Sequence, residues 1–273
     1  MAHAALSAKD LNVTDHGGPG RPVVLIHGWP LSSVAWSNQI EPLKAAGMRV
    51  ITYDRRGFGN ALKPEAGFDY DTLVADLHQV LVDLDLHEVT LVGFSMGGGE
   101  VARYIGNHGE DRLHSVVFAA AVPPFMLQGP DNPDGSLTQE AAQQMEDGLR
   151  ADRAGFFDSF VTQFYSVDGE MKVSQGEHEK AVALCLQSDQ AAALGCMEAF
   201  GTTDFRKDLE KITVPTLILH SDSDAIVPLE GSGKRVFETV RNSELFLIED
   251  APHGCNVSHA ARFNTTLVDY LTR

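Results

Sequence analysis

The chain has 273 residues, 43% of them hydrophobic and 22% charged, enough for one large α/β domain or two small ones and too apolar for wholesale disorder. A formal net charge of −17 argues against the basic face that nucleic acid or an anionic membrane surface requires, so neither is an expected partner. Three cysteines, Cys185, Cys196 and Cys255, are an odd number with no C-x-x-C, which argues against a disulfide framework and for a reducing, cytoplasmic compartment.

Residues 1–10 lack an apolar core behind basic residues, so no secretory signal is expected, and no run is long enough to span a bilayer. The 11 histidines are scattered, without H-E-x-x-H or paired Cys/His spacing, so no metal is expected. Leu11 to Thr14 is a candidate first strand. Residues 22–27 (Pro-Val-Val-Leu-Ile-His) form a continuous apolar run between Gly20 and Gly28, the pattern of a strand buried on both faces. Ser32 or Ser33 can cap a helix carrying Val34, Trp36, Ile40 and Leu43 and ending at Gly47. A second strand is expected over 49–54. Asp71 then opens a helix whose Leu73, Val74, Leu77, Val80, Leu81 and Leu84 fall at helical spacing. Further strands are expected over 88–92 and 114–120. Alternating strands and helices predict a parallel sheet with helices on both faces.

The character changes at Val122-Pro123-Pro124. Residues 129–136 are loop chemistry, and 138–150, 153–165 and 177–199 read as helices, with Phe156, Phe157, Phe160 and Phe164 crowded together. This predicts a helical cap insertion over 123–205 in an α/β core made of 1–122 and 206–273. Alternation resumes with a strand over 216–220, a helix near 231–240, a strand over 244–248 and a last helix from about 258.

Chemistry centres on Gly93-Phe94-Ser95-Met96-Gly97, placed between a strand and a helix. There G-x-S-x-G reads as a nucleophile elbow, with side chains at 93 and 97 expected to collide with the strand and helix. A serine hydroxyl needs a base, and the base an orienting group. In a doubly wound sheet these gather beyond the C-terminal strand ends. Those ends carry Ser221-Asp222-Ser223-Asp224 and Glu249-Asp250-Ala251-Pro252-His253, giving the order Ser, Asp, His with Asp222, Asp224 and Asp250 as candidate acids. His27, Asp54, Arg56 and His220 read as structural residues at strand ends, and Cys255 as a small buried residue near the site.

With these pieces assembled, the chain resembles an α/β-hydrolase, and within that superfamily the cofactor-free, non-haem haloperoxidase/esterase group. The resemblance rests on His27-Gly28-Trp29-Pro30, Tyr53 to Gly59, Gly93 to Tyr104 with its third glycine Gly99, Val214-Pro215-Thr216, Asp224 to Pro228 and Ala251-Pro252-His253-Gly254. It implies Ser95 as nucleophile, His253 as general base and acid, and Asp224, the acid before Ala-Ile-Val-Pro, as orienter. It implies an oxyanion hole from the backbone N–H groups of Trp29 and Met96. No cofactor is implied. The expected pocket wall is Trp29, Phe94, Val122, Phe160, Phe164, Ile226 and Val227, suited to short-chain or aryl esters.

The group further implies attack of hydrogen peroxide on the acyl-enzyme of a short carboxylic acid, giving a peracid that oxidises halide. Pro30 bears on this by fixing the chain and positioning the Trp29 carbonyl. Lactonase, γ-lactamase and C–C bond hydrolase use the same serine elbow and stay open, and a non-catalytic ligand-binding member would be expected to carry a broken triad. The group often forms trimers or larger assemblies, so a homo-oligomer is compatible with the resemblance. The chain departs from the group at Asn60-Ala61, at Cys255 and in its short segment before residue 20, where relatives have a β-hairpin.

Overall fold

The computed structural model describes residues 3–273, so the first two residues of the N-terminal stretch lie outside it. In chain order the elements begin with β1 (Thr14–Asp15), β2 (Pro22–Ile26), α1 (Ser37–Ala45) and β3 (Arg49–Thr52). Then come α2 (Tyr70–Asp83), β4 (Val89–Phe94), α3 (Met96–His108) and β5 (Leu113–Ala119). Four helices follow, α4 (Gln139–Ala151), α5 (Arg153–Phe164), α6 (Gln175–Gln187) and α7 (Gln190–Thr202), with the short strands β6 (Ser166–Val167) and β7 (Glu170–Met171) between α5 and α6. The chain closes with α8 (Arg206–Leu209), β8 (Thr216–Ser221), α9 (Gly233–Thr239), β9 (Ser243–Ile248), α10 (Cys255–Ser258) and α11 (Ala260–Leu271).

Seven strands form one sheet in the order β1-β3-β2-β4-β5-β8-β9, parallel throughout except for β1, which runs antiparallel to β3. The central strands are buried on both faces: all six residues of β4 are buried, so its sequence is apolar but for Thr90, whose hydroxyl is paired with Ser115 Oγ at 2.8 Å. The helix α2 buries Leu73, Val74, Leu77, Val80 and Leu81, the stripe its spacing encodes. From β2 the chain winds outward to β3 and then returns to place β4 on the other side of β2. The switch point, and the crevice it opens, therefore lie between the C-terminal ends of β2 and β4.

Several expectations need correction. The first strand is only Thr14–Asp15; Leu11 and Asn12 lie in a turn, with Asn12 Nδ2 donating to Asp54. Neither Ser32 nor Ser33 caps a helix through its side chain; Ser33–Trp36 is a 3-10 turn leading into α1. Asp69, not Asp71, caps α2 by accepting from Thr72 N at 2.9 Å, while Asp71 pairs with Arg103 on α3. The helix expected over 177–199 is two helices, broken where Asp189 turns its carboxylate onto the N–H groups of Ala191 and Ala192. The β6–β7 hairpin interrupts what read as purely helical sequence. His259 sits between α10 and α11 rather than inside the last helix.

Candidate active site

Ser95 links β4 to α3 with φ of 54° and ψ of −118°, a left-handed conformation that costs a non-glycine residue roughly 1–3 kcal/mol. Neighbouring backbone holds it there. Its N–H donates to Ala119 O at 2.9 Å, and its carbonyl accepts from Gly98 N at 3.0 Å and Val122 N at 3.2 Å. The flanking glycines are required by close approach. A Cβ at Gly93 would sit 2.4 Å from Gly97 O, and one at Gly97 would sit 2.6 Å from Ile26 O. The third glycine of the helix, Gly99, leaves room for the ring of Tyr70, whose hydroxyl donates to Met96 O at 3.0 Å.

The loops after β4, β8 and β9 bring three side chains into one line. Ser95 Oγ is 2.9 Å from His253 Nε2, and His253 Nδ1 is 2.6 Å from Asp224 Oδ2. The carboxylate accepts the Nδ1 proton, so Nε2 is left as the acceptor for the serine hydroxyl. Asp224 is itself fixed, because Oδ1 accepts from Ile226 N at 2.9 Å and Val227 N at 2.8 Å. All three residues are buried. The imidazole is walled by the rings of Phe94, at 5.2 Å, and Phe164, at 4.9 Å. The other two candidate acids lie elsewhere: Asp222 accepts from Ser223 Oγ, and Asp250 pairs with Lys172 on the surface.

The positions expected to supply oxyanion donors flank the serine. Met96 N–H opens α3, where the helix dipole favours negative charge. The Gly28–Trp29 peptide follows β2 and lies against the elbow, since a Cβ on Gly28 would be 3.1 Å from Ser95 Cβ. Neither N–H donates to another described residue.

Above Ser95 is a cavity of about 440 Å³ lined by Trp29, Val122, Phe160, Ile226 and Val227 among others. Two of the residues expected in its wall are absent from it. Phe94 and Phe164 are buried behind the triad, against His253 and each other at 6.1 Å, so they brace the base rather than face the cavity. Wall residues that sequence reasoning missed include Met126, Met145, Phe156 and Phe200. Phe156 was detectable, being one helical turn before Phe160 on α5. Met145 and Phe200 depend on how α4 and α7 dock, and Met126 on the path of the loop after β5. The Trp29 indole is tied by Nε1 to Ala193 O at 2.9 Å and ringed edge-on by Phe156, Phe157, Phe160 and Phe200. It is at once floor of the cavity and anchor of the overlying helices.

Beneath the site lies a buried polar network. His27 Nδ1 donates to Gly28 O at 2.9 Å, and Nε2 accepts from Arg55 N at 3.0 Å. Burial, then the Arg55 charge, push His27 down to about 3, so it is neutral. The Arg55 guanidinium donates to Glu100 and, at 2.6 Å, to His27 O; Tyr53 OH donates to Glu100 at 2.7 Å. Burial raises the Glu100 carboxyl against the pull of Arg55. Arg55 and Glu100 were not singled out from sequence. Arg56 and Asp54 brace the same turn, Arg56 on Asp76 and Asp54 on the N–H groups of Ser33 and Asn60. His220 Nε2 donates to Val227 O at 2.9 Å, and burial lowers its pKa. Cys255 is buried, and burial raises its thiol to about 12. Among the described residues no group of three or more His, Cys, Asp or Glu side chains is arranged to hold a metal.

A sheet switching at β2/β4, with a strained serine at its crest and a histidine and aspartate from later strands beside it, defines the class. The sequence pattern of the alpha/beta hydrolase fold matches residues 21–260, and the chain belongs to that family. Within it the chain belongs to the group of non-haem haloperoxidases and esterases. It is 39% identical over 259 residues to a non-heme chloroperoxidase of Kitasatospora aureofaciens, covering 94% of each chain. It is 35% identical to a bifunctional esterase/perhydrolase of Acinetobacter calcoaceticus, covering 96% of each. The crystal structure of bromoperoxidase from Bacillus anthracis superposes with a TM-score of 0.94 at 49% identity, over 96% of this chain and 95% of that one.

Proposed function

We propose that the protein is a serine hydrolase of carboxylic esters working through an acyl-enzyme. The observation that carries the reading is the unbroken line Ser95 Oγ–His253 Nε2, His253 Nδ1–Asp224 Oδ2, at 2.9 and 2.6 Å. Ser95 attacks the ester carbonyl while His253 takes its proton, and Trp29 N–H and Met96 N–H receive the developing oxyanion. His253 then protonates the departing alcohol. Water, deprotonated by His253, releases the acid. The same intact line disfavours a non-catalytic ligand-binding role. The cavity supports short-chain or aryl esters: Trp29, Val122, Phe160, Ile226 and Val227 line it beside the polar but uncharged Gln144 and Gln163, with no charged side chain. We read residues 123–205 as a cap on a core of 1–122 and 206–273.

Perhydrolysis is the second activity of the same site, supported by the named activities of the relatives. Hydrogen peroxide replaces water on the acyl-enzyme of a short carboxylic acid, leaving as the peracid, which oxidises halide in solution. The Trp29 carbonyl accepts no hydrogen bond from the described residues and is available to the peroxide O–H. Three buried, unpaired thiols support a reducing, cytoplasmic setting, and no helix among the described residues is long and apolar enough to cross a membrane.

Turnover of p-nitrophenyl acetate by the wild type and by Ser95→Ala tests the reading. The variant is expected to fold normally and lose nearly all hydrolysis, and activity that survives the change sinks it. Peracid formation from acetate and peroxide is expected to fall in Pro30→Leu; an equal or higher rate counts against the perhydrolase assignment.

A further inference from the structure

The two oxyanion donors belong to different strand–helix units, yet a catalytic gain requires them to be held in fixed relation before reaction. We propose that Arg55 and Glu100, acting through His27, are positioning residues that set the aim of Trp29 N–H against that of Met96 N–H. The inference rests on Ser95 being the nucleophile.

The chain of contacts is continuous. Glu100 stands on α3, the helix whose first N–H is that of Met96. Its carboxylate receives the Arg55 guanidinium, and the same guanidinium donates to His27 O at 2.6 Å. The Arg55 backbone N–H donates to His27 Nε2 at 3.0 Å, which places the ring proton on Nδ1. That proton goes to Gly28 O at 2.9 Å, and the same carbonyl accepts from Leu31 N at 3.1 Å. Gly28 C=O and Trp29 N–H are the two ends of one planar peptide unit. Fixing the oxygen on one side fixes the N–H on the other, and a hydrogen bond to the oxygen polarises the N–H as a donor. The unit lies against the elbow, where a Cβ added to Gly28 would stand 3.1 Å from Ser95 Cβ.

Arg55, Glu100 and His27 are all buried, at 1%, 0% and 1% exposure, and none lines the cavity. A buried ion pair is a poor source of stability compared with apolar packing, so its presence calls for another reason. Holding a strand-end loop in register with the elbow helix supplies one. Arginine suits the position because its planar fork reaches two acceptors at once, which a lysine ammonium cannot do in the same geometry.

The test compares wild type, His27→Ala, His27→Asn, Arg55→Lys and Glu100→Gln. For each, kcat and KM for p-nitrophenyl acetate are measured with the inhibition constant of an aryl trifluoromethyl ketone, which forms a hemiketal oxyanion on serine. His27→Ala is expected to lower kcat roughly 10- to 100-fold with KM changed less than about threefold, and to weaken the ketone in parallel with kcat/KM. His27→Asn, whose amide can donate to Gly28 O, should recover part of both. Arg55→Lys and Glu100→Gln should fall between. A residue that only supports the fold would lower the melting temperature without moving ketone affinity. A folded His27→Ala with kcat within about twofold of wild type overturns the proposal, as does lost turnover with undiminished ketone affinity. Should His27→Ala not fold, Glu100→Gln, of the same shape and uncharged, decides by the same criterion. Wild type that a fluorophosphonate fails to label on Ser95 overturns the nucleophile assignment instead.

Discussion

Asp224→Asn separates an orienting carboxylate from a bystander. Asp224 Oδ1 accepts two backbone N–H groups, from Ile226 at 2.9 Å and Val227 at 2.8 Å, while Oδ2 faces His253 Nδ1 at 2.6 Å. An asparagine must keep its carbonyl oxygen on those two donors, because its NH₂ group cannot accept from them. The NH₂ is therefore forced onto Nδ1, which must become the acceptor. The imidazole proton moves to Nε2 and points at Ser95 Oγ, so His253 can no longer take the serine proton. The shape of the site is unchanged and the tautomer is wrong. Loss of a triad carboxylate in this way costs about 10⁴ in kcat, or roughly 5.4 kcal/mol of barrier. Steady-state hydrolysis of p-nitrophenyl acetate near neutral pH, with KM as the control on binding, measures it. Asp222→Asn and Asp250→Asn, at exposed positions whose carboxylates pair with Ser223 and Lys172 rather than His253, should stay within about twofold. A folded Asp224→Asn enzyme within tenfold of wild type, or an equal loss at Asp222 or Asp250, refutes the argument.

Acid lability should begin above the carboxylate range. His27 is buried neutral with its pKa lowered from 6.5 to about 3, so the unfolded chain binds more protons between those values. Its contribution is fully present above about pH 6.5 and is lost as pH falls toward 3; from about pH 7 to about pH 5 that is about 2 kcal/mol. The lowered pKa of His220 acts in the same direction. Urea unfolding at the two pH values, in wild type and His27→Asn, measures it, and identical pH dependence in the two refutes it. The thiols of Cys196 and Cys255 are fully buried and raised to about 12, and Cys185 is buried and raised further. A thiol-exchange reagent near neutral pH should leave all three unmodified until the protein is unfolded; rapid labelling of the native state would show the cavity reaches them.

The sheet was legible because its strands are buried on both faces. Val23 to Ile26 are apolar without alternation, and Val89 to Phe94 departs from that only at Thr90, whose hydroxyl pairs with Ser115 Oγ at 2.8 Å, and at Gly93. The elbow was legible for a steric reason: with Gly97 O only 2.4 Å from where a Gly93 Cβ would stand, the local sequence has no freedom. Helix ends are less legible, since Asp69 and Asp71, or Ser188 and Asp189, offer equivalent local chemistry; Asp69 and Asp189 cap, while Asp71 pairs with Arg103 and Ser188 with Arg153. The cavity wall was half legible. Phe94 and Phe164 carry the same apolar signal as Phe160, and only the direction each ring takes decides which brace the histidine and which faces the cavity.

The sequence by itself determined the class of chemistry, because a strained serine turn and the chain order Ser, Asp, His are local and ordinal properties. Tertiary structure decided the contacts between distant segments: Asp224, already favoured by the family resemblance, on His253, the Trp29 indole tied to Ala193, and the Glu100–Arg55–His27 line that joins α3 to the loop after β2. Those choices rest on distances between segments 28 to 164 residues apart along the chain, and no local pattern encodes such distances.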